Sequence, residues 1–312
     1  MAITLTGITI TAGGVFMGYS PVSTQQAIFG FGTGASLTNV TNLVSNTGVV
    51  ANDTAGVGTV RSSLAATSYG TDKAMFGFGY NNSTTNYQLT NLVSNTGVVA
   101  SDTTASGASA RYGLAACGYG LDKGIFAFGY TVTYAVLINL VSNTGTVAND
   151  NTFITSTGRS WPAAAGYGTD KGIIAFGNYA GVAVNTTNLV SNTGAVSADA
   201  TGVGTARQEL AAAVYGFDKA IFGYGYTTVR VSLTNLVSNT GVVSTDTTGV
   251  GTARSDLAAA AYGNDKAIFG YGYTTVNVSL TNLVSNTGVV ATDTTGAGTA
   301  RNGLAAAGFS LT

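Results

Sequence analysis

Only three charged side chains in this sequence, Glu209, Arg230 and Asp256, stand outside a repeating pattern, and any acid–base chemistry would have to be built from such departures. There is no histidine and a single cysteine, Cys117, which removes imidazole catalysis, Ser-His-Asp triads and the usual zinc and copper ligand sets. Glu209 is the sole glutamate. Glycoside hydrolysis, which needs an asymmetric carboxylate pair or a tyrosine nucleophile with a glutamate and an arginine cluster, therefore has little to draw on. No Ser-x-Asp-x-Gly-x-Thr-Trp box occurs. Gly30-Phe31-Gly32-Thr33-Gly34 has the glycine density of a phosphate loop, but no helical pattern follows it and its counterparts are strand positions. Asn52-Asp53-Thr54 offers one carboxylate where a calcium loop needs several. The expectation is a noncatalytic protein with no cofactor and no metal.

Tyrosine and asparagine offer recognition instead. The segment after each aromatic Gly-x-Gly strand varies most in length and sequence: it runs Tyr80 to Tyr87, Tyr130 to Tyr134 and Asn178 to Val184 in three copies. Two other copies, Tyr215 to Arg254 and Tyr262 to Arg301, differ at four of 40 positions, and one difference is Arg230 against Asn277 in this same loop. Rim loops on a rigid scaffold are natural recognition sites, and such side chains suit glycans or protein surfaces. The candidate binding residues are Tyr80, Asn82, Tyr87, Tyr134, Tyr179 and Arg230. Trp161-Pro162 and Phe153 mark the third copy, with Trp161 read as a packing residue.

The scaffold that must hold these loops is written six times. Asn-Leu-Val-Ser-Asn-Thr-Gly begins at Asn42, Asn91, Asn139, Asn188, Asn235 and Asn282, at spacings of 49, 48, 49, 47 and 47. A period near 50 signals a propeller or solenoid. Within a unit, Gly-x-Asp-Lys and Asn-Thr-Gly supply hairpin turns between short runs rich in aromatic and β-branched residues, giving four strands and no amphipathic helix. A sheet apolar on both faces needs neighbours on both sides, which predicts an all-β, six-bladed β-propeller with four antiparallel strands per blade. In Ala-Ile-Phe-Gly-Tyr-Gly, alternation sets Gly270 and Gly272 with Ile268 on one face and Phe269 and Tyr271 on the other, so that one blade's glycines receive the next blade's rings. The small run Leu257 to Ala261 suits strands crowded near an axis. Arg301 to Phe309 opens a repeat whose continuation, Gln25 to Gly32, lies at the other end, so one blade is expected to close the circle from both termini. Residues 1–24 are then an extra strand or an attachment arm, and 25–312 the propeller.

Of 12 basic and 13 acidic residues, 22 recur at fixed positions. Arg61, Arg111, Arg159, Arg207, Arg254 and Arg301 form one set, and Asp53, Asp102, Asp150, Asp199, Asp246 and Asp293 another. Buried arginine favours a bidentate carboxylate, so each Arg is expected to pair with an Asp of its own or the adjoining blade. Charged residues are only 8% of the chain, the net charge is -1, and no electrostatic footprint for nucleic acid exists. No run of about 18 apolar residues predicts membrane insertion, and Met1 to Gly7 lacks the basic start of a signal peptide. Cys117 replaces a small apolar residue and is read as buried.

The order Arg, small apolar strand, Tyr-Gly-x-Asp-Lys, aromatic strand ending in glycine, then Asn-Thr-Gly resembles the kelch repeat over almost all of residues 25 to 312. It departs from kelch in having Gly-Tyr-Gly or Gly-Phe-Gly where a diglycine stands, and in lacking the second-half tryptophan. The near-identical Asn-Leu-Val-Ser-Asn-Thr-Gly and Asp-Lys-Ala-Ile-Phe-Gly-Tyr-Gly runs are also similar to repeats in virion proteins of tailed bacteriophages from aquatic environments. That likeness implies a capsid or tail decoration or a host-surface adhesin. Its partners would be other virion proteins or host-surface glycans or proteins, in a symmetric assembly, cytoplasmic during assembly and released by lysis. The alternatives are a lectin-like carbohydrate-binding propeller of a microbe and an intracellular protein-interaction scaffold.

Overall fold

A computed structural model describes residues 25–152 and 156–310. The expected N-terminal strand or arm, residues 1–24, and Phe153 lie outside the described residues. Among the described residues the chain is all β, and no helix is long and apolar enough to cross a membrane.

Each repeat yields an antiparallel sheet. β1 (Gln25–Gly30) and β2 (Thr41–Val44) are completed by the last strand, β22 (Ala305–Ser310), in the order β2-β1-β22. The pairing of Phe29 with Ala306 and of Gln25 with Ser310 joins the two ends of the described chain in one sheet. Next come β3 (Ala65–Tyr69), β4 (Lys73–Gly77), β5 (Leu89–Val93) and β6 (Thr103–Thr104), then β7 (Ala115–Tyr119), β8 (Lys123–Ala127), β9 (Leu137–Val141) and β10 (Asn151–Thr152). β11 (Ala163–Tyr167), β12 (Lys171–Ala175) and β15 (Thr187–Val190) follow, with a small hairpin of β13 (Asn178–Tyr179) and β14 (Val182–Ala183) in the connection. β16 (Ala211–Tyr215), β17 (Lys219–Gly223) and β18 (Thr234–Val237) make one further sheet, and β19 (Ala258–Tyr262), β20 (Lys266–Gly270) and β21 (Thr281–Val284) another. The first strands of these sheets neighbour one another in the order β22, β3, β7, β11, β16, β19 and back to β22.

The fourth strand expected in every repeat is a correction. Outside β6 and β10 it is reduced to bridges such as Val237 with Val243 and Thr234 with Thr247. Between those bridges the inner side advances three residues and the outer side four, so one extra residue bulges the outer segment. A bulge ends regular pairing and re-aims a side chain; the one re-aimed here is the repeat aspartate, Asp246.

Between sheets, a ring fills the place of the missing side chain at Gly270 but not at Gly272, where a Cβ would instead meet Ser255 O at 2.7 Å and Leu257 Cβ at 3.0 Å of its own repeat. A Cβ on Gly270 would lie 2.6 Å from Phe29 Cζ, and one on Gly223 the same distance from Phe269 Cζ. Tyr271, however, does not share a face with Phe269. Its φ is +63°, which breaks the two-residue alternation and turns its ring onto Phe29, 5.2 Å away and edge-on. The same left-handed aromatic recurs at Phe31, Phe78, Phe128, Phe176 and Tyr224. Ala259 and Ala261, from the small run, line a central cavity of about 290 Å³ with residues of the other first strands. Cys117 is buried against Gly172, where a Cβ would come within 2.6 Å of its sulfur, and burial pushes its thiol up to about 12.

Candidate binding site

The repeat charges form the frame. Arg61 is fully buried, with its guanidinium 4.2 Å from the centre of the Phe31 ring in the preceding sheet. Nε donates to Phe78 O (2.7 Å), Nη1 to Thr59 O (3.1 Å), and Nη2 to Asn91 Oδ1 (2.7 Å). Asn91 Nδ2 in turn donates to Asp102 Oδ1 at 2.9 Å, while Thr59 N and Oγ1 donate to Oδ2. Arg61 approaches Asp102 only to 3.7 Å. The expected Arg–Asp pairing thus holds as one long ion pair and not a bidentate one, with the asparagine of the recurring motif bonded to both charges between them. Arg111, Arg207 and Arg254 repeat it with Asn139, Asn235 and Asn282 and with Asp150, Asp246 and Asp293. Arg301 uses Asn42 and Asp53, from the opposite end of the chain. Arg159 keeps Asn188 and Asp199, but its Nε and Nη1 have no hydrogen-bond partner among the described residues. Burial lowers Arg207 to about 10, offset in part by Asp246, which leaves it charged at neutral pH.

The variable loops of neighbouring repeats bond to one another, Asn86 Nδ2 donating to Thr131 O and Asn277 Nδ2 to Thr33 O, each at 3.1 Å. Tyr80 stacks on Tyr112 (centroids 4.1 Å apart, 16° between planes), and Tyr112 meets Tyr130 at 5.6 Å and Trp161 at 6.0 Å. Tyr130 then packs on Tyr134, and Tyr134 on Tyr179, at 5.3 and 5.5 Å. Side chains from three successive repeats thus join in one aromatic band, whose end at Tyr179 is 46% exposed. The Tyr134 hydroxyl donates to Asn178 Oδ1 at 3.1 Å, pinning the band to the β13–β14 hairpin.

Of the six candidates, Tyr80, Tyr134 and Tyr179 belong to the band. Asn82 is a brace: Oδ1 accepts the Ser62 hydroxyl and Nδ2 donates to Thr33 Oγ1 at 2.7 Å. Tyr87 makes backbone bonds to Gly79 and Arg111 and, among the described residues, no ring contact with the band. Arg230 lies apart from the band, its guanidinium 4.5 Å from the Tyr273 ring centre and 5.8 Å from that of Tyr226.

Sequence reasoning missed Tyr112 and the part played by Trp161. The residue after each repeat Arg is Ser62, Tyr112, Ser160, Gln208, Ser255 or Asn302, and the next is Ser63, Gly113, Trp161, Glu209, Asp256 or Gly303. These two variable positions beside an invariant one were the available signal. The second set meets at the centre. Gly113 N donates to Ser63 O, Trp161 N to Gly113 O, Glu209 N to Trp161 O, Asp256 N to Glu209 O, Gly303 N to Asp256 O, and Ser63 N back to Gly303 O, at 2.6–3.3 Å. This closed circuit surrounds a depression of about 80 Å³, lined by these six residues and by the ones that follow them, Pro162 in one repeat and a leucine in each of the other five. Two of the three charges outside the repeat, Glu209 and Asp256, line it: burial first, then the charge of Glu209, pushes the Asp256 carboxyl well above the usual carboxylate range, and Arg230 opposes this. Burial raises the Tyr80 hydroxyl, with the Asp256 charge adding to it. Among the described residues no three metal-ligating His, Cys, Asp or Glu side chains lie together.

The arrangement is suited to holding a planar or hydroxyl-bearing surface against aromatic faces, with carboxyl groups at one end. No protein-family model matches the chain, and no curated protein is similar to it.

Proposed function

We propose that the chain is a noncatalytic six-bladed β-propeller, kelch-like in its repeat, whose loop face binds a surface glycan. The setting is that of a bacteriophage virion adhesin or decoration. Support for the propeller comes from the cyclic neighbour order of the first strands, the joining of β1 to β22, and the backbone circuit at the centre. Support for binding comes from one observation above all. In the aromatic band from Tyr80 to Tyr179, Tyr80 and Tyr130 hold a position that is tyrosine in four of the six copies, but Tyr112, Tyr134 and Tyr179, which join them into a band, depart from the repeat, so the packing demands common to every blade do not require it. Tyrosine supplies rigid amphipathic contact area at small entropic cost, as glycan recognition needs. The virion setting is supported by the likeness of the repeats to those of aquatic phages.

Two measurements test this reading. A glycan screen with the full chain should give binders that Tyr112→Ala and Tyr134→Ala lose while melting stays within a few degrees; binding that survives both substitutions, or no glycan bound at all, rejects the glycan face. Mass spectrometry of density-purified virus-sized particles should recover peptides such as 62–73 at fixed stoichiometry to capsid protein. Their confinement to the soluble fraction rejects the virion setting.

A further inference from the structure

The six central positions share one backbone conformation and little else. Ser63, Gly113, Trp161, Glu209, Asp256 and Gly303 have φ between +49° and +60°, a region that glycine enters freely and other residues enter at roughly 1 kcal/mol or more. Two of the six are glycine. The bulkiest and the two acidic residues stand on three consecutive repeats, Trp161, Glu209 and Asp256, and so share one side of the depression. Their backbone groups are consumed by the hydrogen-bond circuit, which leaves recognition to the side chains.

Those side chains are rich in acceptors. Glu209 and Asp256 both line the depression, and Asp256 N donates to Glu209 O at 2.9 Å. Gln208 Nε2 donates to Glu209 Oε1 at 3.1 Å, and Gln208 Oε1 is buried without a partner among the described residues. Arg230 lies outside that lining, its guanidinium held over Tyr273 and its buried Nε without a partner among the described residues. Ser255 Oγ donates to Asp256 Oδ2 at 3.2 Å. An ammonium group carries donors only and one positive charge, which matches two carboxyls that line one depression. The Trp161 indole adds the surface on which a cation is best received.

We propose that this depression is the subsite of the glycan face for an amine-bearing sugar, its ammonium group seated between Glu209, Asp256 and Trp161. The inference rests on the glycan reading of the adjoining aromatic band, to which Trp161 is joined through Tyr112. Two carboxyls lining one depression call for a positive charge between them, which the ammonium supplies. An acetylated amine brings no charge and leaves the pair as it was.

The test compares two probes of the same backbone, a chitosan tetrasaccharide with free amines and its fully N-acetylated counterpart, titrated calorimetrically into the full chain at mildly acid pH. The free-amine form should bind about tenfold more tightly, in keeping with a charge-assisted, aromatic-walled contact. Glu209→Gln alone, and with Asp256→Asn, should abolish that preference while the acetylated form still binds. Equal affinities in the unmodified chain, with binding still lost in Tyr112→Ala, overturn the ammonium subsite and leave the glycan face intact. Failure of both probes together with the glycan screen overturns both readings. The comparison of probes in the unmodified chain stands even where a variant fails to fold.

Discussion

Asn235 is where the frame is most economically attacked. It is fully buried, accepts Arg207 Nη2 at 2.6 Å, and donates to Asp246 Oδ1 at 2.9 Å and Ser244 O at 3.0 Å. Asn235→Ala leaves a buried guanidinium short of an acceptor, which costs about 1.5–3 kcal/mol. The two lost donations, at less buried sites, add about 1 kcal/mol each, for a total of about 3–5 kcal/mol. For a chain of this size that lowers the thermal midpoint by about 5–10 °C. The matched control is Lys219→Ala, which removes an exposed ion pair with Asp218 and should leave the melt unchanged. Asn235→Asp retains an acceptor for Arg207 but sets a second carboxylate beside Asp246, so its loss should lie between the two and grow as pH rises. Chemical and thermal denaturation, followed by circular dichroism and by tyrosine fluorescence, read the differences. A loss under about 1 kcal/mol for Asn235→Ala, or one equal to the Lys219 control, refutes the claim that the asparagine relay carries the buried charge.

Deleting residues 301–312 removes β22 and takes Arg301 from Asn42 and Asp53, so the cooperative melt should be lost; an unchanged transition contradicts closure through the terminal sheet. Leu121 and Phe217 occupy the second position of Gly-x-Asp-Lys turns at φ +73° and +70°, where Asn264 stands in another copy. Leu121→Asn and Phe217→Asn should each stabilise by about 1 kcal/mol, and destabilisation in denaturant titrations counts against the strain argument. Asp53, Asp102, Asp199, Asp246 and Asp293 are each raised by burial, but hydrogen bonds from threonine and asparagine outweigh this and hold them below the usual range. The unfolded chain then takes up protons first, so stability is kept above the ordinary carboxylate pKa of about 4 and lost as pH falls through the lowered folded values. A midpoint that stays flat well below that pH is the contrary result. Asp256 has the opposite sign: its folded carboxyl holds a proton that the unfolded one has released. Asp256→Asn should therefore raise the melting midpoint at neutral pH and leave it unchanged in acid, and a fall at neutral pH sinks that reading.

Much of the frame could be read before any coordinates, because every unit repeats what it asks of its neighbour. A glycine in Ala-Ile-Phe-Gly implies a ring arriving from outside, and Gly270 meets Phe29. A first strand stranded at one terminus implies its partner at the other, and Phe29 pairs with Ala306. Where local rules were extended too far, backbone conformation intervened. Alternation was carried through Tyr271, whose positive φ turns it over, and a full fourth strand was drawn through a bulge. The asparagine of Asn-Leu-Val-Ser-Asn-Thr-Gly passed as a strand residue, although it is the one group able to accept from arginine and donate to aspartate at once.

The candidate site was far less legible. Tyr80 and Tyr179 are 99 positions apart in sequence yet are linked through touching rings, and Glu209, Asp256 and Arg230 looked like three scattered exceptions. Repetition by itself determined the strands, the turns, the buried charge positions and the meeting of the two ends, since those are local patterns copied at a constant period. Which exceptions meet was decided only by the tertiary arrangement: it carries one position of every repeat to a common centre, where residues some 50 apart in sequence become hydrogen-bonded neighbours.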